Sequence, residues 1–137
     1  MNYLLDTNAC VALINRSSLA VRNHFEKATA GGAQIYVPSV VIFELWYGVA
    51  KSVHQALNAQ RLEAFLNGPV TLLPLDDQDA KVAGSIRAAL QASGTPIGAY
   101  DLLIAGQALA RQLTLVTANV SEFSRVKGLL WQDWAKP

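Results

Sequence analysis

Apolar positions along this chain follow two rhythms. Short runs read as buried strands: residues 2–5, Gln34-Ile35-Tyr36-Val37, Val70-Thr71-Leu72-Leu73 and Leu113-Thr114-Leu115-Val116. Between them apolar residues recur at helical spacing, as at Val21, Phe25 and Ala28. Asp6-Thr7-Asn8 opens a short first helix, and Ser17 and Ser18 are capping residues for a second that Gly31-Gly32 breaks. Pro38-Ser39 starts a third helix over 40–50. A fourth, after Ser52, carries Leu62, Phe65 and Leu66 on one face and stops at Gly68-Pro69. Asp76, Asp77 and Asp79 fall in the opening turn of a fifth, with Val82, Ile86 and Ala89 as its stripe. A sixth spans about 99–112, and Gly128-Leu129-Leu130-Trp131 reads as a last edge strand.

Strands alternating with helices predict a three-layer α/β/α domain around a mostly parallel sheet of four to five strands. In such sheets ligands gather at the carboxyl ends of the strands. At 137 residues, without repeats or a Pro/Gly linker, the whole of 1–137 reads as one domain.

Composition narrows the classes. Charged residues are 15% of the chain, against about 25% in an average soluble domain, so each charge in an apolar setting carries information. No apolar run approaches the ~18 residues of a membrane span, and no leader pattern opens the chain. The single Cys10 offers no internal disulfide, and cytoplasmic location is the expectation. A net charge of +1 gives no polycation signature, so a nucleic-acid partner would need a local basic patch or a metal.

Most acids have an ordinary explanation. Asp76, Asp77 and Asp79 suit a helix N-terminus, where the macrodipole favours negative charge, and Glu26, Glu63 and Asp133 have polar neighbours. Three do not fit. Asp6 follows the first strand in YLLDTN, Glu44 lies inside VVIFELWYGV, and Asp101 precedes LLIA in IGAYDLLIA. None has a Lys or Arg within four residues, although Lys51 lies two turns beyond Glu44. Singly, Asp6 and Asp101 read as N-caps and Glu44 as part of an exposed stripe. Together, converging acids would raise one another's pKa unless a cation were present, and a hard divalent ion answers that need. Such a site suits phosphoryl chemistry. Thr117 and Asn119, after the strand LTLV, add neutral oxygens and donors at another carboxyl strand end, or form a simple turn.

These four segments, LLDTN, the Glu of FELWYG, IGAYDLLIAGQAL and LVTANVSEF, in this order and at this length, resemble the PIN-domain family and its VapC-type toxins of bacterial toxin–antitoxin pairs. The resemblance covers essentially the whole chain. It implies a metal-dependent endoribonuclease using Mg²⁺ or Mn²⁺, an RNA substrate, a cognate antitoxin, and a homodimer within a toxin–antitoxin hetero-oligomer, with no membrane. Carried over by motif, Asp6 and Asp101 are the main metal-binding carboxylates, and Glu44 is a third acid for metal-bound water or a second ion. Asn119 stands where many members have a fourth acid, with Thr117 and Asn8 in support. Glu122 joins that set only if its helix turns inward.

Among the basic residues Arg16, Lys51 and Arg111 are candidates for an RNA-facing rim, with solvated surface as the simpler role. His24, His54 and Cys10 read as surface or packing residues. Trp46 and Tyr47 read as core or as a seat for an apolar antitoxin segment, and Trp131 and Trp134 as cover for the sheet edge. Two other readings stand beside the ribonuclease: a haloacid-dehalogenase-like phosphatase with Asp6 as nucleophile, whose second Asp is Asn8 here, and a non-catalytic protein-binding module.

Overall fold

Leu4 and Leu5 have no solvent exposure, and the strand that carries them, β1 (Tyr3–Leu5), is the middle of the sheet. A computed structural model of the protein describes residues 1–136. It places β1 between β2 (Ile35–Pro38) and β4 (Thr114–Val116), with β3 (Thr71–Leu73) outside β2 and β5 (Trp131–Gln132) outside β4. Every neighbouring pair is parallel, with Tyr3 opposite both Ile35 and Thr114. Helices cover both faces, which is why the inner strands read as unbroken apolar runs.

Helices α1 (Thr7–Asn15) and α2 (Leu19–Ala30) link β1 to β2, and α3 (Ser39–Ala50) and α4 (Gln55–Leu66) link β2 to β3. The chain then returns through α5 (Asp77–Ala92) and α6 (Ala99–Ala110) to β4, on the other side of β1, and a short α7 (Val120–Phe123) follows. Strand order therefore reverses between β1 and β4, and the crevice at their carboxyl ends is where this architecture places ligands.

Local chemistry sets the element ends. Asp6 Oδ1 accepts the Ala9 N–H at 2.9 Å and caps α1, and Ser18 caps α2. Asp76 and Asp79 form a reciprocal capping box on α5. The wholly buried Gln107 donates from Nε2 to the carbonyls of Leu73 and Pro74, both at 3.0 Å, and so ties α6 to the end of β3. A Cβ on Gly106 would stand 2.6 Å from that of Ala83, so α5 and α6 meet there only because the position is glycine.

The structure moves three expected boundaries. The tail strand is Trp131–Gln132 rather than 128–131, because Gly128 turns the chain with φ +84° first. The sixth helix stops at Ala110, and Gln112 adopts φ 56°. The turn after β4 becomes α7, whose Phe123 is 1% exposed. Among the described residues no helix is long and apolar enough to cross a membrane.

Candidate active site

Asp6 leaves the end of β1 as the N-cap of α1, and its own N–H continues the sheet by donating to the Val116 carbonyl at 3.1 Å. One residue on, Thr7 Oγ1 donates to Glu44 Oε1 at 2.8 Å, so α1 draws the acid of α3 to the same crevice. Asp101 is no N-cap. Gly98 holds that position, and Asp101 sits in the first turn of α6, facing the loop after β4. From that loop Asn119 Nδ2 reaches Asp101 Oδ2 at 3.2 Å and Glu122 Oε2 at 3.1 Å, holding the two carboxylates on either side of one amide. Thr117 Oγ1 accepts the Asn119 N–H at 2.9 Å, which leaves its hydroxyl proton for Asp6.

The charges are under-compensated. Burial raises the Asp6 pKa against the lowering effect of the Thr117 and Ala9 donors, and the charges of Glu44 and Asp133 raise it further. Asp101 is pushed up to about 7, first by burial, then by its hydrogen bond to Glu122 and by the charges of Glu122, Asp6 and Glu44. Glu122 moves the other way, because it accepts from Asp101 and Asn119 and lies within reach of Arg125. Asp101 is thus the acid of this crevice that holds its proton toward neutral pH. Within the described residues no Lys or Arg forms an ion pair with any of these four acids.

That donor set fits a hard divalent ion. Its oxygens come from carboxylates and amide and hydroxyl groups, and a cation would take the place of the proton. Among the described residues no three His, Cys, Asp or Glu side chains close around one point tightly enough to cage an ion unaided. Mg²⁺ needs no such cage, since one or two carboxylates and several waters complete its shell.

The structure thus gathers Asp6, Glu44, Asp101, Thr117 and Asn119 into one crevice. Asn8 is exposed and lines a small neighbouring cavity with Thr117 and Asp133. Glu122 does turn inward, as α7 packs Phe123 into the core. Asp133 is half-buried and adds to the field on Asp6.

Two basic candidates are spent elsewhere. Arg111 lies past the far end of α6 from Asp101, with Nη2 at 3.1 Å from both Asp76 and Asp79. Lys51 stands 5.0 Å from the Tyr47 ring centre and not on Glu44. Cys10 and His24 take packing roles, whereas Trp46 and Tyr47 are 37% and 60% exposed and not core. Cys10 is fully buried with its thiol pKa pushed well up by that burial, and His24 stacks on the buried Trp134 at 5.9 Å.

A crevice of acids at the strand-order reversal of a parallel α/β sheet, with no paired cation among the described residues, has the donor set of a divalent-ion site. The particular family follows from comparison with known proteins. The PIN domain profile matches residues 3–129, and the chain belongs to the PIN-domain family. The protein is 40% identical to ribonuclease VapC2 of Rickettsia felis over 99% of this chain and 100% of that one. It is 37% identical to the tRNA(fMet)-specific endonuclease VapC of Salmonella typhimurium over 98% of both. Its fold superposes with a TM-score of 0.91 on a chain of the crystal structure of VapBC2 from Rickettsia felis bound to a DNA fragment from their promoter, at 36% identity, covering 98% of this chain and 99% of that one. The phosphatase reading falls with this assignment.

Proposed function

We propose that the protein is a VapC-type toxin, an endoribonuclease working with Mg²⁺ or Mn²⁺ and restrained by a cognate antitoxin. The observation that carries this is the convergence of Asp6, Glu44, Asp101 and Glu122 on one crevice without a paired cation. Asp6 and Asp101 would hold the ion. Bound there, a divalent ion acidifies a water and offsets charge on the reacting phosphate. The remaining work belongs to the side chains. Glu44, with Oε1 fixed by Thr7, presents Oε2 to take a proton from the attacking water. Thr117 fixes the orientation of Asp6, and the Asn119 amide fixes that of Asp101 and Glu122.

Two surfaces suit the expected partners. An apolar groove of about 250 Å³ starts at Thr7 and Glu44 and runs along α1, lined by Val11, Ile14, Leu45 and Leu62. A partner segment lying in it would bring a cationic side chain to the acids and block them. Phe43, Trp46, Tyr47 and Tyr100 are 37–60% exposed beside the same crevice, an apolar surface suited to a second copy.

Inducible expression of wild type, Asp6→Ala and Asp101→Ala, with mapping of RNA 5′ ends, tests the reading. Wild type should arrest growth and produce discrete cuts, and both variants should lose cleavage at least ~100-fold while remaining folded. Full activity in either variant sinks the assignment. Wild-type protein that leaves RNA intact in Mn²⁺ would point to a binding module.

A further inference from the structure

A cavity of about 170 Å³ lies between the second half of α5, the loop before α6 and the first turn of α6. Its floor is apolar: Leu90, Ile97 and Leu102 are each no more than 9% exposed. Arg87 and Gln91 stand at its rim, one helical turn apart on the same face of α5 and both exposed. Arg87 enters none of the ion pairs among the described residues. Two links tie this cavity to the acid crevice. Ala99 and Leu102 in its wall share the first turn of α6 with Asp101. Arg125 donates from Nη1 to the Pro96 carbonyl in its wall at 2.9 Å, while its charge acts on Glu122.

We infer that this cavity receives one unpaired purine base of the RNA, from a nucleotide adjoining the phosphate to be cut, and that Arg87 and Gln91 read its edge. The inference rests on the ribonuclease reading above. A base is apolar on its faces and polar on its edges, which matches an apolar floor under a polar rim. Proteins that read RNA by sequence take single-stranded bases splayed into such pockets. The fork of an Arg fits O6 and N7 of guanine, and the amide of a Gln fits N6 and N7 of adenine. Both pairings use N7, which pyrimidines lack, so a base read on that edge is a purine. A phosphate alone would leave the floor of Leu90, Ile97 and Leu102 without a partner. Held there, the base draws the adjoining phosphodiester toward Asp101, so base choice and phosphate placement become one event.

The test uses the purified protein in Mn²⁺ and a pool of single-stranded RNA oligonucleotides randomised at the central positions, with cut ends read by sequencing. Wild type should favour a purine at one nucleotide next to the cut. Arg87→Ala should raise KM on the best single oligonucleotide by about 5- to 100-fold and flatten that preference. Arg87→Lys, which keeps the charge but not the fork, should flatten it as well. Gln91→Ala should shift the balance between adenine and guanine. Cleavage by wild type without base preference beside the cut overturns the inference, as does an Arg87→Ala variant that weakens all sequences alike with its preference intact. If wild type cuts no RNA, or Asp101→Ala cuts as well as wild type, the ribonuclease reading itself has failed and the inference falls with it.

Discussion

Helix α6 has an acid-bearing cluster at each end, and the two are opposites. At its N-terminal end Asp101 faces Asp6, Glu44 and Glu122 without a paired cation. At its C-terminal end Arg111 closes on Asp76 and Asp79, with Asp79 1% exposed and doubly engaged as acceptor and cap. Both clusters combine burial, carboxylates and helix termini. Only the second has its charge answered by the chain itself. An acid cluster that the chain balances is fixed structure, whereas one that it leaves unbalanced needs something from solution.

The largest effect that would break this comparison lies at the balanced end. Asp79→Ala leaves the Arg111 guanidinium with Asp76 as its one remaining carboxylate and removes half of the α5 capping box. Loss of a buried acceptor together with a cap costs about 1–3 kcal/mol. Urea unfolding should therefore show a lower midpoint at unchanged slope, while RNA cleavage per folded molecule stays at the wild-type rate. Cleavage that collapses together with stability would mean that the two ends are not independent.

At the unbalanced end the sign reverses. The Asp101 pKa is raised in the folded protein, so its contribution to stability is full below the ordinary carboxylate range and is lost as pH rises through about 7. Asp101→Asn cannot ionise and escapes that loss. In divalent-free buffer the variant should melt close to wild type at pH 3 and above it at pH 8, although it cuts no RNA. Thermal melts at the two pH values measure this, and Mn²⁺ should raise the melting temperature of wild type much more than that of the variant. A variant less stable than wild type at pH 8 would show that the crevice is balanced after all.

The same contrast explains what could be read from the sequence. The strands were legible because parallel, doubly covered strands are short apolar runs, and Asp6 and Asp101 stood out because no basic residue lies near them in sequence. The pairing of Arg111, a rim candidate or solvated residue by sequence, was hidden for the converse reason. Its partners Asp76 and Asp79 lie more than 30 residues away and meet it only when α5 and α6 pack across Gly106. Glu122 depended on a helix of four residues, too short for any periodicity, whose direction is set by the burial of Phe123. The purine cavity left no motif, because its residues come from two helices and a loop that have no pattern in common.

The smallest effect sharpens the comparison furthest, because it isolates the pH slope. Asp76 is held below the usual carboxylate range, first by the Asp79 backbone N–H and then by Arg111. Its contribution is present above the unfolded carboxylate pKa and is lost as pH falls through the folded value. Asp76→Asn keeps a capping oxygen but loses the charge and the acceptor facing Arg111, so the variant should come nearest to wild type at pH 3 and fall below it from pH 5 upward. Asp101→Asn also matches wild type at pH 3, and departs from it in the other direction as pH rises toward about 7. Equilibrium unfolding of the two variants from pH 3 to pH 8 should thus give slopes of opposite sign, measured against wild type. Slopes of the same sign would mean that the arginine at one end and the unpaired acids at the other do not set the character of the two clusters.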